Sequence, residues 1–216
     1  METIIEIFNY FNNSKRISDT IYMTLKRMII TAQFLPDSKI DEAAISDQLG
    51  VSATSIREAL KILEYNRYIN FNQRIGYCVS QINLEDMVLL NDMMAMLTRA
   101  SVEVISIYDR ASIIMIEESL KDSGEADNYA LDKKFHLTLA LTTKNEEYIA
   151  SMRDIYDRLE WGKNALHLPD LSQNILDEHK LIAYYLMKHD DKYRDNMPGM
   201  IDRHKLSHVK YILEKA

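Results

Sequence analysis

Asp132 and His136 stand four residues apart. At helical spacing a carboxylate and an imidazole then share one face, a turn apart, where both can grip a single ion. His179 lies among Ile175, Leu176, Ile182 and Leu186, an apolar helical stripe, and His204 lies with Met200 and Ile201 on a later segment. A carboxylate and three imidazoles from three helices would make a centre for Zn²⁺, Ni²⁺ or Mn²⁺. A histidine on an apolar stripe is more commonly a core residue with one satisfied nitrogen, so spacing alone leaves both readings open. A second constellation is Ser52, Thr54, Ser55 and Arg57. Ile56, Leu60 and Leu63 fall at the i, i+4, i+7 spacing of one buried stripe, and the four polar residues project from the first turn away from it. Backbone N–H groups, hydroxyls and a guanidinium at a helix start suit phosphate oxygens and base edges.

Each constellation needs elements to position it. Asp41 to Leu49 reads as a short helix ended by Gly50, and a second helix follows with Ser52 as N-cap; Ser55 with Glu58 offers an alternative start. That is a helix-turn-helix. Residues 17–34 form a preceding helix with Ile21, Leu25, Met28 and Ile29 as its core set, and its Lys26 and Arg27 could reach phosphate. Lys39-Ile40 is a short strand entry. Residues 68–72 and 77–81 read as two strands around a hairpin tip, Gln73-Arg74-Ile75-Gly76, so the whole is a winged helix with Arg74 and Gly76 on the wing. The boundary falls at Gln81-Ile82-Asn83, dividing a DNA-binding domain, 1–82, from an all-helical domain, 83–216. Helices are expected to about Tyr108, over roughly 110–122, 126–143 and 145–161, then 171–189 and 190–214, with Ser123-Gly124-Glu125 as a break. Pro198-Gly199 predicts a kink, or two helices, in the last of these. Residues 1–14 carry Ile4, Ile5, Ile7, Phe8 and Phe11, and the pattern does not decide between a docked helix and a frayed extension.

The string Gly50-Val51-Ser52-Ala53-Thr54-Ser55-Ile56-Arg57-Glu58-Ala59-Leu60, then Leu63-Glu64, then Gly76-Tyr77-Cys78-Val79, resembles the signature of the GntR family of bacterial transcription regulators. Ala53 stands where that family usually has Arg, and Ser55 where it often has Pro. The resemblance implies DNA contacts from Ser52, Thr54, Ser55 and Arg57 on the helix and from Arg74 and Gly76 on the wing. The second half is similar to the FCD sensor domain of that family. Asp132 and His136, then Asn145, then Glu178-His179, then His204 follow its motif order. The resemblance implies that Asp132, His136, His179 and His204 bind a divalent metal that helps to hold a small organic acid. The interval from His179 to His204 is a few residues longer than is usual there, and His208 is a fallback ligand. Met94 and Thr98 stand where family members tend to place an effector-binding Arg and a Glu. Arg153 and Arg158, flanking Tyr156, are the remaining candidates for a carboxylate effector.

Composition bounds the function. The 216 residues are 47% hydrophobic and 27% charged, with five Gly and three Pro, which excludes a long linker or a turn-rich all-β fold. One cysteine, Cys78, excludes a disulfide framework. No apolar run approaches the roughly 20 residues of a membrane span, and the N-terminus lacks the basic start of a signal peptide. A cytoplasmic protein is expected. The net charge of −7 is unevenly spread: residues 15–80 carry nine basic and seven acidic residues, against 17 and 24 in residues 81–216. A mildly basic head predicts modest affinity per subunit, hence a homodimer on an imperfect palindrome of double-stranded DNA. The expected function is a ligand-responsive transcriptional regulator, a repressor, and not an enzyme. The alternatives are a regulator whose metal-free sensor takes an acyl ligand, and a metal-dependent phosphohydrolase built on His136, His179 and His189-Asp190.

Overall fold

In the computed structural model the described residues are 2–12, 16–105, 110–121, 127–187 and 196–215. They form ten helices and one hairpin, mainly α, with the small sheet behind the second pair of helices. No helix among them is long and apolar enough to cross a membrane. The chain divides into two compact units, Met1–Asn83 with Glu160–Leu166, and Leu84–Leu159 with His167–Ala216.

In the first unit, α1 (Ile4–Phe11) is a docked helix, with Ile4, Ile7 and Phe8 buried. A reciprocal capping box fixes its start, Thr3 accepting from the Glu6 N–H and Glu6 from the Thr3 N–H. Helix α2 (Ile17–Ile30) supplies Ile21, Leu25 and Ile29 to the core, all fully buried. Helix α3 (Glu42–Leu49) starts on Asp41, whose carboxylate accepts from two backbone N–H groups, and stops at Gly50. Gly50 sits at φ +63°, the left-handed conformation that costs an L side chain about 1–2 kcal/mol. Helix α4 (Ala53–Tyr65) then buries Ile56, Ala59, Leu60 and Leu63 against α2 and α3. Each of its larger aliphatic side chains contributes roughly 1.5–3 kcal/mol by leaving water.

Strands β1 (Ile69–Asn72) and β2 (Gly76–Val79) pair antiparallel from Ile69↔Val79 to Asn72↔Gly76. Lys39 makes a single antiparallel bridge to Cys78, so the short strand entry lies along the outer side of β2. The last turns of a distant helix complete this unit. Trp161 is buried against Tyr68, ring centroids 5.7 Å apart, Glu160 pairs with Arg27 at 3.2 Å, and Asn164 Nδ2 donates to the Ile30 carbonyl. Lys26 lies over the Tyr68 ring. Lys26 and Arg27, which the sequence offers to phosphate, are thus engaged within their own unit.

The second unit contains α5 (Leu84–Val104), α6 (Arg110–Ser119), α7 (Asn128–Thr142), most of α8 (Glu146–Ala165), α9 (Gln173–Met187) and α10 (Met197–Lys215). Val102, Ile116, Phe135, Leu139, Ile182 and Ile201 form its centre. Asp127 caps α7 through the Ala130 N–H, and Asp170 accepts from the Asn128 and Tyr129 N–H groups, which fixes the angle at which α7 enters. Pro198 is the second residue of α10, in the first turn, where its missing N–H has no intrahelical partner to lose. The proline therefore starts this helix instead of kinking it. The expected break at 123–125, Tyr108 and the segment 190–195 lie outside the described residues.

Candidate nucleic-acid interface and metal centre

The start of α4 presents the first constellation. Ser52 is the N-cap, at φ −71° and ψ 146°, and its Oγ accepts from the Ser55 N–H at 3.1 Å. The Ser55–Glu58 start is therefore not used. Ser52 and Thr54 are exposed and Ser55 is half-buried. Arg57 projects outward, its side chain 67% exposed, and its Nε donates to Glu42 Oε2 at 2.9 Å. On the wing, Arg74 is exposed at the tip and its N–H donates to Asn72 Oδ1. Gly76 takes φ +96°, a backbone that favours glycine at the return of the hairpin. The six residues expected to meet DNA thus share one unit, and the aliphatic stripe of α4 holds its polar face outward.

The second constellation is brought together. Asp132, His136, His179, His204 and also His208 converge, with one donor atom from each within 4.8 Å of all the others. Two pairs at i, i+4 spacing, on α7 and α10, face each other, and α9 adds His179. All five side chains are buried. His136 Nε2 lies 3.0 Å from His204 Nε2, which lies 3.1 Å from His179 Nε2. Asp132 Oδ1 is 3.0 Å from His179 Nε2 and 3.1 Å from His208 Nε2.

Outer partners set which ring nitrogen faces inward. The Thr98 hydroxyl donates to Met94 Sδ, so its oxygen accepts from His136 Nδ1 at 2.8 Å. Glu178 Oε2 accepts from His204 Nδ1 at 2.8 Å, and Ser207 donates to Glu178 Oε1. Protons assigned to both Nδ1 atoms leave two bare Nε2 lone pairs facing each other, an arrangement that a cation relieves. Tyr156 Oη donates to Asp132 Oδ2 at 2.8 Å, which leaves Oδ1 turned to the histidines. Asp132 Oδ1 and His208 Nε2 make no hydrogen bond with any described residue, although both are buried.

Protonation follows the same logic. Burial pushes the Asp132 carboxyl up, but neighbouring His208, His179 and His136 outweigh it and hold the group well below the usual carboxylate range. Burial drives His136 well below its ordinary value, and drives His204 down to about 4 against the opposing pull of Glu178. Burial, with Asp132 beside it, raises Tyr156 well above the ordinary phenol, so it stays a donor. One carboxylate, the imidazoles of His136 and His204 that burial keeps neutral, and inward atoms without hydrogen-bond partners fit a divalent first-row cation. With Asp132 and the half-buried Glu178 ionised and every liganding imidazole neutral, as ligation requires, such an ion would bring the site to zero net charge.

Arg153 and Arg158 are not brought to this centre. The inward face of α8 is taken by Met152, Ile155, Tyr156 and Leu159, all buried. Arg153 is exposed, and the half-buried Arg158 donates from Nε to Asp154 at 2.8 Å. The phase of α8 thus places Arg153 and Arg158, expected as effector ligands, away from the donor cluster. Asn145 is not part of the cluster either: its Oδ1 accepts from the Tyr148 N–H at the start of α8. Conversely, Thr98, Tyr156 and Glu178 act as outer partners that sequence patterning did not single out in that role. His189-Asp190 lie outside the described residues.

Comparison with known proteins bears on the first unit and on the fold. Residues 17–79 match the family of bacterial regulatory proteins, gntR family. The chain is 24% identical over 205 residues to the uncharacterised HTH-type transcriptional regulator YdhC of Bacillus subtilis, covering 90% of this chain and 92% of that protein. It is 24% identical over 196 residues to the Nta operon transcriptional regulator of Aminobacter aminovorans, covering 87% and 90%. Among solved structures, a transcriptional regulator GntR from Rhodococcus sp. RHA1 shares the fold at TM-score 0.73 and 20% identity, over 92% of this chain and 98% of that one. McbR/YncC of E. coli does so at TM-score 0.69 and 13% identity, over 93% and 99%.

Proposed function

We propose that this chain, a DNA-binding transcriptional regulator of the GntR family, is a cytoplasmic repressor whose helical unit senses a divalent metal ion. The observation that carries the DNA half is the outward polar face at the start of α4 beside the hairpin. Thr54, Ser55 and Arg57 would enter the major groove, Ser52 would remain the cap, and Arg74 and Gly76 would follow the sugar–phosphate backbone from the wing. A head of such low net charge gains its operator affinity from two copies, so the working species is a homodimer on an imperfect palindrome. The second half rests on the convergence of buried donors from α7, α9 and α10. Asp132, His136, His179 and His204 would hold the ion, and its charge would fasten those three helices together. The small organic acid implied by the family resemblance gains no support from Arg153 and Arg158. A metal-free sensor is disfavoured by the inward lone pairs.

A ligand changes DNA affinity only through its different affinity for two arrangements of the protein. Fluorescence anisotropy on the promoter of the chain's own gene tests both halves. Arg57→Ala should lose about 1–3 kcal/mol of binding if the guanidinium reads a base. An unaltered affinity would remove Arg57 from the interface. The wild-type affinity should also differ between chelated and metal-loaded protein, and identical curves would refute metal sensing.

A further inference from the structure

The metal reading above uses four ligands, and the centre contains a fifth donor. His208 lies one turn beyond His204 on the same face of α10, is buried, and points Nε2 inward without a hydrogen-bond partner among the described residues. It approaches Asp132 Oδ1 to 3.1 Å. Two donors bound at right angles to one ion at about 2.1 Å sit about 3 Å apart. The separations of 3.0 Å for His136–His204, 3.1 Å for His179–His204, 3.0 Å for Asp132–His179 and 3.1 Å for Asp132–His208 fall at that value, and Asp132 lies farther from His136 and His204, at 3.7 and 4.0 Å, within the roughly 4.2 Å that opposite positions span. With its donor atom within 4.8 Å of all the others, His208 stands in the same donor cage.

The number of donors decides what else the ion can hold. First-row divalent ions take at most about six ligands. Four protein donors leave two positions, enough for a hydroxy acid to chelate through a carboxylate and a hydroxyl. Five leave one. A cavity of about 150 Å³ lined by Leu120, Leu131, Leu176 and Lys180 reaches His179 but none of the other four donors. Thr98, on the α5 side of the centre, is committed to His136.

We propose that His208 is a fifth protein ligand that closes the ion to chelating organic acids, so that the sensor answers to the metal itself. This rests on the metal reading of the preceding section. A cage of this kind favours ions that accept five or six ligands, such as Ni²⁺, Co²⁺ or Mn²⁺, over four-coordinate Zn²⁺.

Cobalt(II) is a direct probe, because its visible d–d bands change in intensity with coordination number. The wild-type protein should bind one Co²⁺, and millimolar lactate should leave the spectrum unaltered. His208→Ala should bind Co²⁺ at least about tenfold more weakly, with altered bands that shift again when lactate is added. A lactate-induced shift in the wild type would overturn the proposal without needing any variant. His208→Ala with wild-type bands and affinity would overturn it as well. A wild-type protein with no Co²⁺ bands at all would remove the metal reading, and this inference with it, at the first titration.

Discussion

Tyr156→Phe deletes one hydroxyl from the middle of the second unit. That hydroxyl donates to Asp132 Oδ2 at 2.8 Å, with both side chains essentially out of solvent. Hydrogen bonds to a charged group are worth about 1.5–3 kcal/mol, and the lost partner leaves a buried carboxylate oxygen poorly solvated. For a chain of this size 1 kcal/mol moves a melting midpoint by roughly 2–4 °C. The metal-free variant should therefore melt about 6 °C lower, followed by circular dichroism. Metal affinity should fall as well, by about 10–100-fold, because outer partners fix the orientation of a ligand. Tyr129→Phe is the control. Its hydroxyl donates at 3.0 Å to the backbone carbonyl of Tyr156, a neutral acceptor not aimed at the ion. It should cost about 1 kcal/mol and leave metal affinity unchanged. Equal metal affinities for wild type and Tyr156→Phe would refute the claim that this hydroxyl aims Asp132.

Two further outcomes follow from the same geometry. Ser52→Ala removes the cap of α4 and should destabilise the first unit by about 1 kcal/mol, read as a lowered urea midpoint in the fluorescence of Trp161, the single tryptophan, which is buried in that unit; an unmoved midpoint would mean the hydroxyl does not hold the turn. The metal-free protein should lose stability as pH falls from about 6.5 towards 4. His136 and His204 are held neutral in the fold by burial, the latter down to about 4. The unfolded chain therefore binds more protons in that window, and each histidine costs up to about 1.4 kcal/mol per pH unit. A urea midpoint that is flat across that range would show that the rings are protonated in the native state.

Local signals made much of this legible. Gly50 ends α3 in a left-handed turn, Ser52 caps α4, and the alternation around Gln73–Gly76 gives the hairpin, because each depends on neighbours within a few residues. The Asp132–His136 pair was visible for the same reason. Its completion by His179 and His204 was an ordering of residues, and only the packing of α7, α9 and α10 turns that order into a cage. His208 read as a substitute for His204, whereas the structure gathers both. The roles of Thr98, Tyr156 and Glu178 as outer partners have no local cue, since the residues they meet are remote in the chain. Trp161 is the clearest case of a long-range contact without a local cue. Nothing near residue 161 announces a partner at Tyr68, and the sequence boundary at 83 gives no sign of it. Arg153 and Arg158 flank Tyr156 in the chain, but the buried stripe of α8 runs through Met152, Ile155, Tyr156 and Leu159, and positions 153 and 158 fall outside it.

Arg57 is already engaged by an acid, Glu42, before any nucleic acid arrives. In the proposed complex Arg57 would exchange this anion for a base edge or a phosphate, and fewer small ions would be freed into solution than the count of arginines suggests. The logarithmic salt slope of operator binding should steepen in Glu42→Gln, and an unchanged slope would dismiss the exchange. On the proposed interface the displaced Glu42 carboxylate would stand near the sugar–phosphate backbone, which repels it, and would count against docking wherever no base edge donates to it.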